Sequence, residues 1–183
     1  MLVILNSYVC VMGFLFVGLI YSVDLRADGK SEVGANLPLV EIKGENGGKI
    51  DGSGWDSGSI KGKVYSLFYV DPDEKDANLS LEKALKDGGF DRAKYGSIAV
   101  INLAATWKPN FIIEKVLADK QEEYPDTIYV KDRAGMLVKS WSLKNDAYNV
   151  LLFDKEGKLL FKQAGTLDEE GIKKYITLIK ANI

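Results

Sequence analysis

The side chains of this chain that could support catalysis or metal binding are concentrated in one acidic turn, Asp71-Pro72-Asp73-Glu74-Lys75-Asp76. Clustered carboxylates are suited to hard divalent cations and to general acid-base chemistry. A calcium loop of the EF-hand type is excluded, because Lys75 stands where a third oxygen ligand is needed and glycine is absent from the sixth position. A metal-assisted hydrolase that uses residues 71–76 is the alternative interpretation of this turn.

The same turn has a simpler interpretation as the approach to a helix. Helical spacing begins near Ala77, and the N-terminus of a helix is stabilised by negative charge. Asp73, Glu74 and Asp76 are therefore predicted to cap and solvate this helix. On this interpretation the carboxylates have a structural role, and no metal ligand is assigned to them.

The usual nucleophiles and bases are scarce. Cys10, inside an apolar N-terminal segment, is the only cysteine, and the chain has no histidine. Thiol-disulfide exchange needs a thiolate and usually a second, resolving cysteine, and a serine-histidine triad needs an imidazole. The sequence excludes a thiol-disulfide oxidoreductase or peroxidase of the thiol type. No catalytic residue and no cofactor is predicted.

A glycine-rich stretch at 44–62 resembles a phosphate-binding loop only superficially. Gly58 to Lys63 is one residue too short for a Walker motif, and Val64 stands where serine or threonine would bind magnesium. The stretch also precedes a predicted strand instead of joining a strand to a helix. We predict a flexible hairpin and loop that are covered by Trp55.

Residues 1–23 form an apolar leader, because Leu2 to Val23 contains no charged residue. An apolar core of about 7 to 15 residues is typical of a signal peptide, whereas a membrane-spanning helix needs ~20. A signal peptide is predicted, with an uncleaved membrane anchor as the first alternative and a buried core helix as the second. Residues 24–33 are interpreted as a linker, and the domain is expected outside the cytoplasm.

The length and charge of residues 34–183 indicate one domain that can bury its own core. The whole chain has a formal net charge of -2. Because there is neither an excess of positive charge nor a run of lysine and arginine, no nucleic-acid partner is expected.

Strand and helix patterns alternate along this domain. Apolar runs predict strands at 64–70, 97–103, 127–130 and 136–143, a first hairpin from 37–42 and 49–50, and a later one from 149–154 and 158–161. Helical spacing predicts helices from Ala77 to Gly88-Gly89, after Pro109-Asn110, and from a capping box of Thr166 and Glu169. This order is typical of the α/β class, with a thioredoxin-like three-layer fold: a mixed central sheet, flanking helices and an added N-terminal β-hairpin.

Short motifs spread over nearly the whole domain carry a family resemblance. They are Gly34-Ala35-Asn36-Leu37-Pro38, Trp55, Gly62-Lys63-Val64, Lys75 with Asn78, Tyr95 with Asn102, Tyr124-Pro125, Asp132 with Gly135, Trp141 with Leu143, Asp154-Lys155-Glu156-Gly157, and Gly165 with Leu167 and Glu170. In this order they resemble the YtfJ family of exported bacterial proteins, which have a thioredoxin-like fold and no settled function. The resemblance implies a periplasmic protein, with anchoring to the membrane by residues 1–23 as the alternative.

The resemblance also implies where a binding groove should lie. The acidic turn occupies the position of Cys-x-x-Cys in redox-active relatives, and Tyr148 or a neighbour occupies that of their cis-proline. Trp107 lies at a strand-to-helix turn, where open α/β sheets bind ligands. The candidate groove consists of Asp71, Asp73, Lys75, Trp107 and Tyr148. The expected function is non-redox binding of an unknown envelope protein or small ligand, with membrane contact only through the leader.

Overall fold

The computed structural model of the protein describes residues 33–183. The predicted leader at 1–23 and nearly all of the linker at 24–33 lie outside the described residues. Between Val33 and Ile183, no helix is both long enough and apolar enough to cross a membrane.

A six-stranded mixed sheet forms the centre of the domain. Its strands are β2 (Gly47–Lys49), β4 (Val64–Val70), β5 (Tyr95–Asn102), β6 (Thr127–Asp132), β7 (Tyr148–Phe153) and β8 (Leu159–Ala164), in the order β2-β6-β5-β4-β7-β8. Strands β4, β5 and β6 are parallel, and β2, β7 and β8 are each antiparallel to a neighbour. A separate small sheet pairs β1 (Glu41–Ile42) with β3 (Trp55–Asp56).

Helices cover both faces of the central sheet. They are α1 (Leu79–Gly88), α2 (Asn110–Glu123), α3 (Met136–Trp141) and α4 (Glu169–Asn182). Helices α1, α2 and α4 contribute buried side chains to one apolar cluster, and α3 and the small sheet contribute to the other. The central strands are nearly continuous apolar runs because they are buried on both faces. The predicted three-layer fold class is thus confirmed.

The predicted strand at 136–143 is wrong, because the segment forms the helix α3. Leu137 and Trp141, four residues apart, are its buried positions, and this spacing places them on one side of a helix. The buried carboxylate of Asp132 accepts hydrogen bonds from the amides of Met136 and Leu137 at 2.9 and 3.1 Å. These bonds satisfy donors at the start of the helix that have no partner within it.

The predicted first hairpin is also wrong in its pairing. Ile42 pairs with Trp55 in the small sheet, and Lys49 pairs with Val130 at the edge of the central sheet. Gly47 permits this arrangement: its φ is 123°, and a Cβ there would lie 1.8 Å from the carbonyl oxygen of Lys131. Trp55 is buried, as expected for a side chain that covers the glycine-rich stretch.

The remaining elements confirm the predicted order, but two of the three predicted helix starts require correction. Helix α4 is capped by Asp168, whose carboxylate accepts from the amide of Gly171 at 2.8 Å, so Thr166 and Glu169 do not form the capping box. Helix α1 begins at Leu79, two residues beyond Ala77, and ends where Gly89 adopts a left-handed conformation with φ 52°. Helix α2 and the β7–β8 hairpin lie where the sequence places them.

Candidate functional site

Three loops meet at the edge of the sheet where the parallel strands end. They are residues 71–76 after β4, 103–109 after β5, and 144–147 before β7, and together they are called the rim here. The carboxyl ends of parallel strands share one edge of a sheet, and ligands bind there in open α/β folds. The amide of Asp71 donates to the carbonyl of Ala147 at 3.2 Å, which joins the first loop to the third.

Within the acidic turn, Asp71 and Asp73 each have a defined partner. Asp71 is buried, and its Oδ1 accepts from the amide of Asp73 at 2.9 Å. Asp73 accepts from the hydroxyl of Thr106 at 3.1 Å and from the ammonium of Lys108. The Lys108 hydrogen bond, with a further contribution from Thr106, lowers the pKa of Asp73. Asp73 therefore joins the first loop to the second.

The predicted capping role of these carboxylates is wrong. Asp76 accepts from the ammonium of Lys75 at 2.6 Å, and Asp73 is engaged with the 103–109 loop. Asn78 occupies the N-cap position of α1, but its side chain bonds to Gly165 and Leu167 in the loop before α4. The start of α1 is thus held by a long-range contact and not by the acidic turn.

Trp107 is the most exposed large apolar side chain of the rim, at 85% of its full accessible area. Its neighbours on both sides are fixed, because Thr106 and Lys108 both donate to Asp73. The amide of Lys108 also donates to the hydroxyl of Thr106 at 3.2 Å. An indole in this position is presented to solvent by a loop that is restrained on either side of it.

Tyr148 lies beneath the rim and not on its surface. It is buried, its ring packs edge-on against Phe68 with 5.9 Å between centroids, and its hydroxyl donates to Glu82 at 3.0 Å. Burial, reinforced by the negative charge of Glu82, raises the pKa of Tyr148 well above its usual value. Although Glu82 is exposed overall, its carboxyl group turns toward Tyr148, and partial burial raises its pKa.

The structure therefore brings together only part of the candidate groove. Asp71, Asp73 and the loop of Trp107 are linked by hydrogen bonds, whereas Lys75 is paired with its neighbour Asp76. Tyr148 contacts α1 through Glu82. None of the peptide bonds in residues 33–183 is cis, including the bond at the position that redox relatives give to proline.

The polar residues that hold the rim together were not predicted from the sequence. Thr106 and Lys108 are described above; Asn102, at the buried end of β5, donates from its side-chain amide to Oδ1 of Asn145 at 2.9 Å. This bond joins the second loop to the third. A buried asparagine that ends an otherwise apolar strand was the signal available in the sequence, because such side chains need a hydrogen-bond partner.

The rim contains no cysteine, because Cys10, in the N-terminal apolar segment, is the only cysteine of the chain. It therefore lacks the thiol that thiol-disulfide chemistry requires. Among residues 33–183, no group of three or more Cys, Asp or Glu side chains is placed to hold a metal ion. Asp73 and Asp76 already accept hydrogen bonds from lysines. A restrained, exposed aromatic side chain beside a hydrogen-bonded polar frame is an arrangement suited to recognition.

Comparison with solved structures identifies the fold. The exposed lipoprotein thioredoxin Etrx1 of Streptococcus pneumoniae superposes with a TM-score of 0.53 and 16% sequence identity, over 77% of this chain and 99% of that chain. Identity at this level supports the thioredoxin-like fold alone.

Comparison of sequences identifies the family. The uncharacterised protein YtfJ of Escherichia coli is 22% identical over 129 residues, which are 69% of this chain and 70% of the relative. An uncharacterised protein of Haemophilus influenzae is 26% identical over 129 residues, 68% of this chain and 70% of the relative. The family model described as "Bacterial protein of unknown function (YtfJ_HI0045)" matches residues 34–182. The chain therefore belongs to the YtfJ_HI0045 family of bacterial proteins, with a thioredoxin-like fold.

Proposed function

We propose that the protein is an exported, non-redox binding protein of the bacterial cell envelope that recognises a partner protein through its rim. The observation that carries the proposal is Trp107, 85% exposed in a loop whose flanking side chains both bond to Asp73. An indole left in water forgoes the free energy of apolar burial, and a partner protein that covers it would recover that free energy.

Trp107 has the properties of a binding anchor. Tryptophan is enriched among the residues that dominate the affinity of protein interfaces. A loop that is already ordered loses little conformational entropy when a partner binds, so more of the contact energy contributes to affinity. The bonds from Thr106 and Lys108 to Asp73 therefore support the proposal, because they order the loop that carries the indole.

The non-redox part of the proposal rests on the turn after β4. This position carries the acidic turn, with Asp71 and Asp73 in hydrogen bonds, and thiol exchange requires a thiolate. The metal-assisted hydrolase considered from the sequence gains no supporting observation, because the lysine partners of Asp73 and Asp76 occupy their carboxylates.

Export is supported by the uncharged apolar leader. Residues 1–40 fused to a reporter that is active only outside the cytoplasm are expected to give a signal, and residues 24–40 fused to the same reporter are expected to give none. Protease protection of the full chain in spheroplasts then distinguishes a released periplasmic protein from one anchored by residues 1–23. A silent 1–40 fusion would contradict export.

Photo-crosslinking in cells tests the binding function. A photoreactive phenylalanine analogue in place of Trp107 is expected to form an adduct with a discrete partner protein. The matched control carries the analogue in place of Leu39, another exposed apolar residue at 78% of its accessible area, outside the rim. Adding Asp73→Asn to the variant with the analogue at position 107 should reduce the yield of the adduct roughly tenfold. The loop then loses its charged anchor and must be ordered on binding.

The outcomes of this experiment separate a specific site from general stickiness. Equal adducts at 107 and 39, or no adduct at 107, would contradict the proposed function. An adduct that contains only a second copy of this chain would also contradict recognition of a partner protein. All three altered positions are exposed, so each variant is expected to fold. A thermal melt of each variant verifies this.

A further inference from the structure

A small cleft lies at the end of the sheet opposite the rim, where the parallel strands begin. Its polar lining includes Lys63, Tyr65, Arg92, Ser97 and Asp126, and it is called the Arg92 cleft here. The three charged residues come from the segments that precede β4, β5 and β6. The cleft has a volume of about 120 Å³, which suits one small polar group and is too little for a drug-sized ligand.

Both cations of the Arg92 cleft are held in place by contacts that leave most of their donors free. The ammonium of Lys63 donates to the backbone carbonyl of Arg92 at 2.6 Å. Nη1 of Arg92 donates to the hydroxyl of Ser97 at 3.3 Å, and the guanidinium carbon lies 5.7 Å from the centre of the Tyr95 ring. Because an ammonium has three N–H donors and a guanidinium has five, donors outnumber the acceptors that the cleft itself supplies.

The carboxylate of Asp126 neutralises only part of this positive charge. Its Oδ2 lies 3.7 Å from Nε of Arg92, which is longer than a hydrogen bond, and the Arg92 and Asp126 side chains are 48% and 65% exposed. An exposed ion pair of this kind contributes little to stability. Two cations and one carboxylate leave the cleft with an excess of one positive charge, although the whole chain has a net charge of -2.

Gly96 makes room in the cleft for a neutral donor, the hydroxyl of Tyr65. Tyr65 is paired with Gly96 between β4 and β5, and its ring lies so close that a Cβ on the glycine would be 2.3 Å from Cε1 of the ring. Within residues 33–183 the hydroxyl of Tyr65 has no hydrogen-bond partner, and the side chain is only partly buried. It is therefore available to a ligand that enters the cleft.

We propose that the Arg92 cleft binds a phosphate group, with Lys63 and Arg92 as its charged ligands and the hydroxyl of Tyr65 as a neutral donor. A phosphate monoester carries between one and two negative charges at neutral pH and has three strong acceptor oxygens. A guanidinium pairs with two of these oxygens at once, and an ammonium supplies a compact second charge. A bound phosphate displaces the loosely held carboxylate of Asp126. A carboxylate ligand, with one charge and two oxygens, would leave more of the donors unused.

Calorimetric titration with inorganic phosphate tests the site. The protein recovered from cells that express the full chain is titrated in a chloride buffer of low ionic strength, and saturable binding of one phosphate per chain is expected. Lys63→Gln and Arg92→Gln should each weaken binding roughly tenfold or more, because each removes charge-assisted hydrogen bonds. Lys173→Gln removes the same charge from an exposed position on α4, so this matched control should bind phosphate like the wild type.

Two further variants test the roles of Asp126 and Tyr65. Asp126→Asn removes the carboxylate that competes for Arg92, so phosphate affinity should rise by about threefold or more. Misfolding cannot imitate a gain in affinity. Tyr65→Phe keeps the ring that covers Gly96 and removes only the hydroxyl, so affinity should fall by a few fold.

Several results would overturn the proposal. They are acetate binding as tightly as phosphate, equal weakening by Lys63→Gln and Lys173→Gln, and an unchanged phosphate affinity in Asp126→Asn. Competition against inorganic phosphate then distinguishes the sources of the group: glycerol phosphate represents a soluble monoester, and phosphatidylcholine vesicles with or without phosphatidic acid represent a lipid headgroup. Failure of both to compete would also overturn the proposal. The cleft and the rim lie at opposite ends of the strands, so this inference does not depend on the proposed function, and the adduct at position 107 is scored separately.

Discussion

Asp132→Ala is expected to lower the free energy of unfolding by about 3–5 kcal/mol, because one buried carboxylate satisfies four donors. Asp132 is fully buried. It accepts from the amides of Ala134, Met136 and Leu137 at 3.2, 2.9 and 3.1 Å and from the hydroxyl of Tyr69 at 3.1 Å. Removal of the carboxylate leaves these donors without their partner in an apolar environment.

Tyr69→Phe is the matched control for this prediction. It removes only one of the four donors and leaves the three amides bonded to Asp132, so a loss of about 1 kcal/mol is expected. Urea unfolding followed by circular dichroism measures both values, and tryptophan fluorescence reports the exposure of the two buried tryptophans, Trp55 and Trp141. An Asp132→Ala protein within 1 kcal/mol of the wild type would show that α3 does not depend on this carboxylate.

Asp132 also explains why the sequence predicted the wrong element at 136–143. The run Met136-Leu137-Val138-Lys139-Ser140-Trp141 is short, and its apolar residues suit either a strand or a helix. The helix is selected by a carboxylate at the end of β6 and by Gly135, which adopts φ 62°. Predicting this outcome requires knowing that Asp132 is buried and aimed at the next segment, which depends on the packing of the whole sheet.

The central sheet and helix α2 could be predicted because their signals are local. The run from Val64 to Val70 is apolar throughout, and helical spacing follows Pro109. The first hairpin failed for a different reason. The strand Gly47–Lys49 is short and rich in glycine, so its pairing is set by positive-φ backbone at Gly47 and by contact with β6, neither of which leaves a pattern of hydrophobicity.

For the candidate site, the sequence located the rim but not the bonds within it. Trp107, assigned to the candidate groove because it lies at a strand-to-helix turn, is exposed on the rim. The partners of Asp73 were missed, since Thr106 and Lys108 are 33 and 35 residues away along the chain. The burial of Tyr148 was missed as well, because its hydroxyl is satisfied by Glu82 on α1, 66 residues away.

Four buried tyrosines, Tyr69, Tyr95, Tyr148 and Tyr175, link stability to alkaline pH. Tyr95 donates to the hydroxyl of Ser66 at 2.6 Å, and Tyr175 lies 2.7 Å from the same hydroxyl and 2.9 Å from the carbonyl of Leu151. One proton cannot serve both contacts of Tyr175, so Tyr95 donates to Ser66, Ser66 donates to Tyr175, and Tyr175 donates to the carbonyl of Leu151. Burial raises the pKa of all four tyrosines.

The protein is therefore expected to unfold cooperatively between roughly pH 11 and 12. Below the unfolded tyrosine pKa of about 10, both states keep their phenolic protons and these groups add no pH dependence. Above it, the unfolded chain releases protons that the folded chain retains, so stability falls as pH rises, by up to about 1.4 kcal/mol per pH unit for each buried tyrosine. Four such groups give roughly 5 kcal/mol per unit, against a typical total of about 5–15 kcal/mol. Circular dichroism and tyrosinate absorbance are recorded together as the pH rises. The buried tyrosines should contribute to the tyrosinate absorbance only when the circular dichroism shows loss of structure. Gradual ionisation of all the tyrosines in the folded protein would contradict the burial of these four.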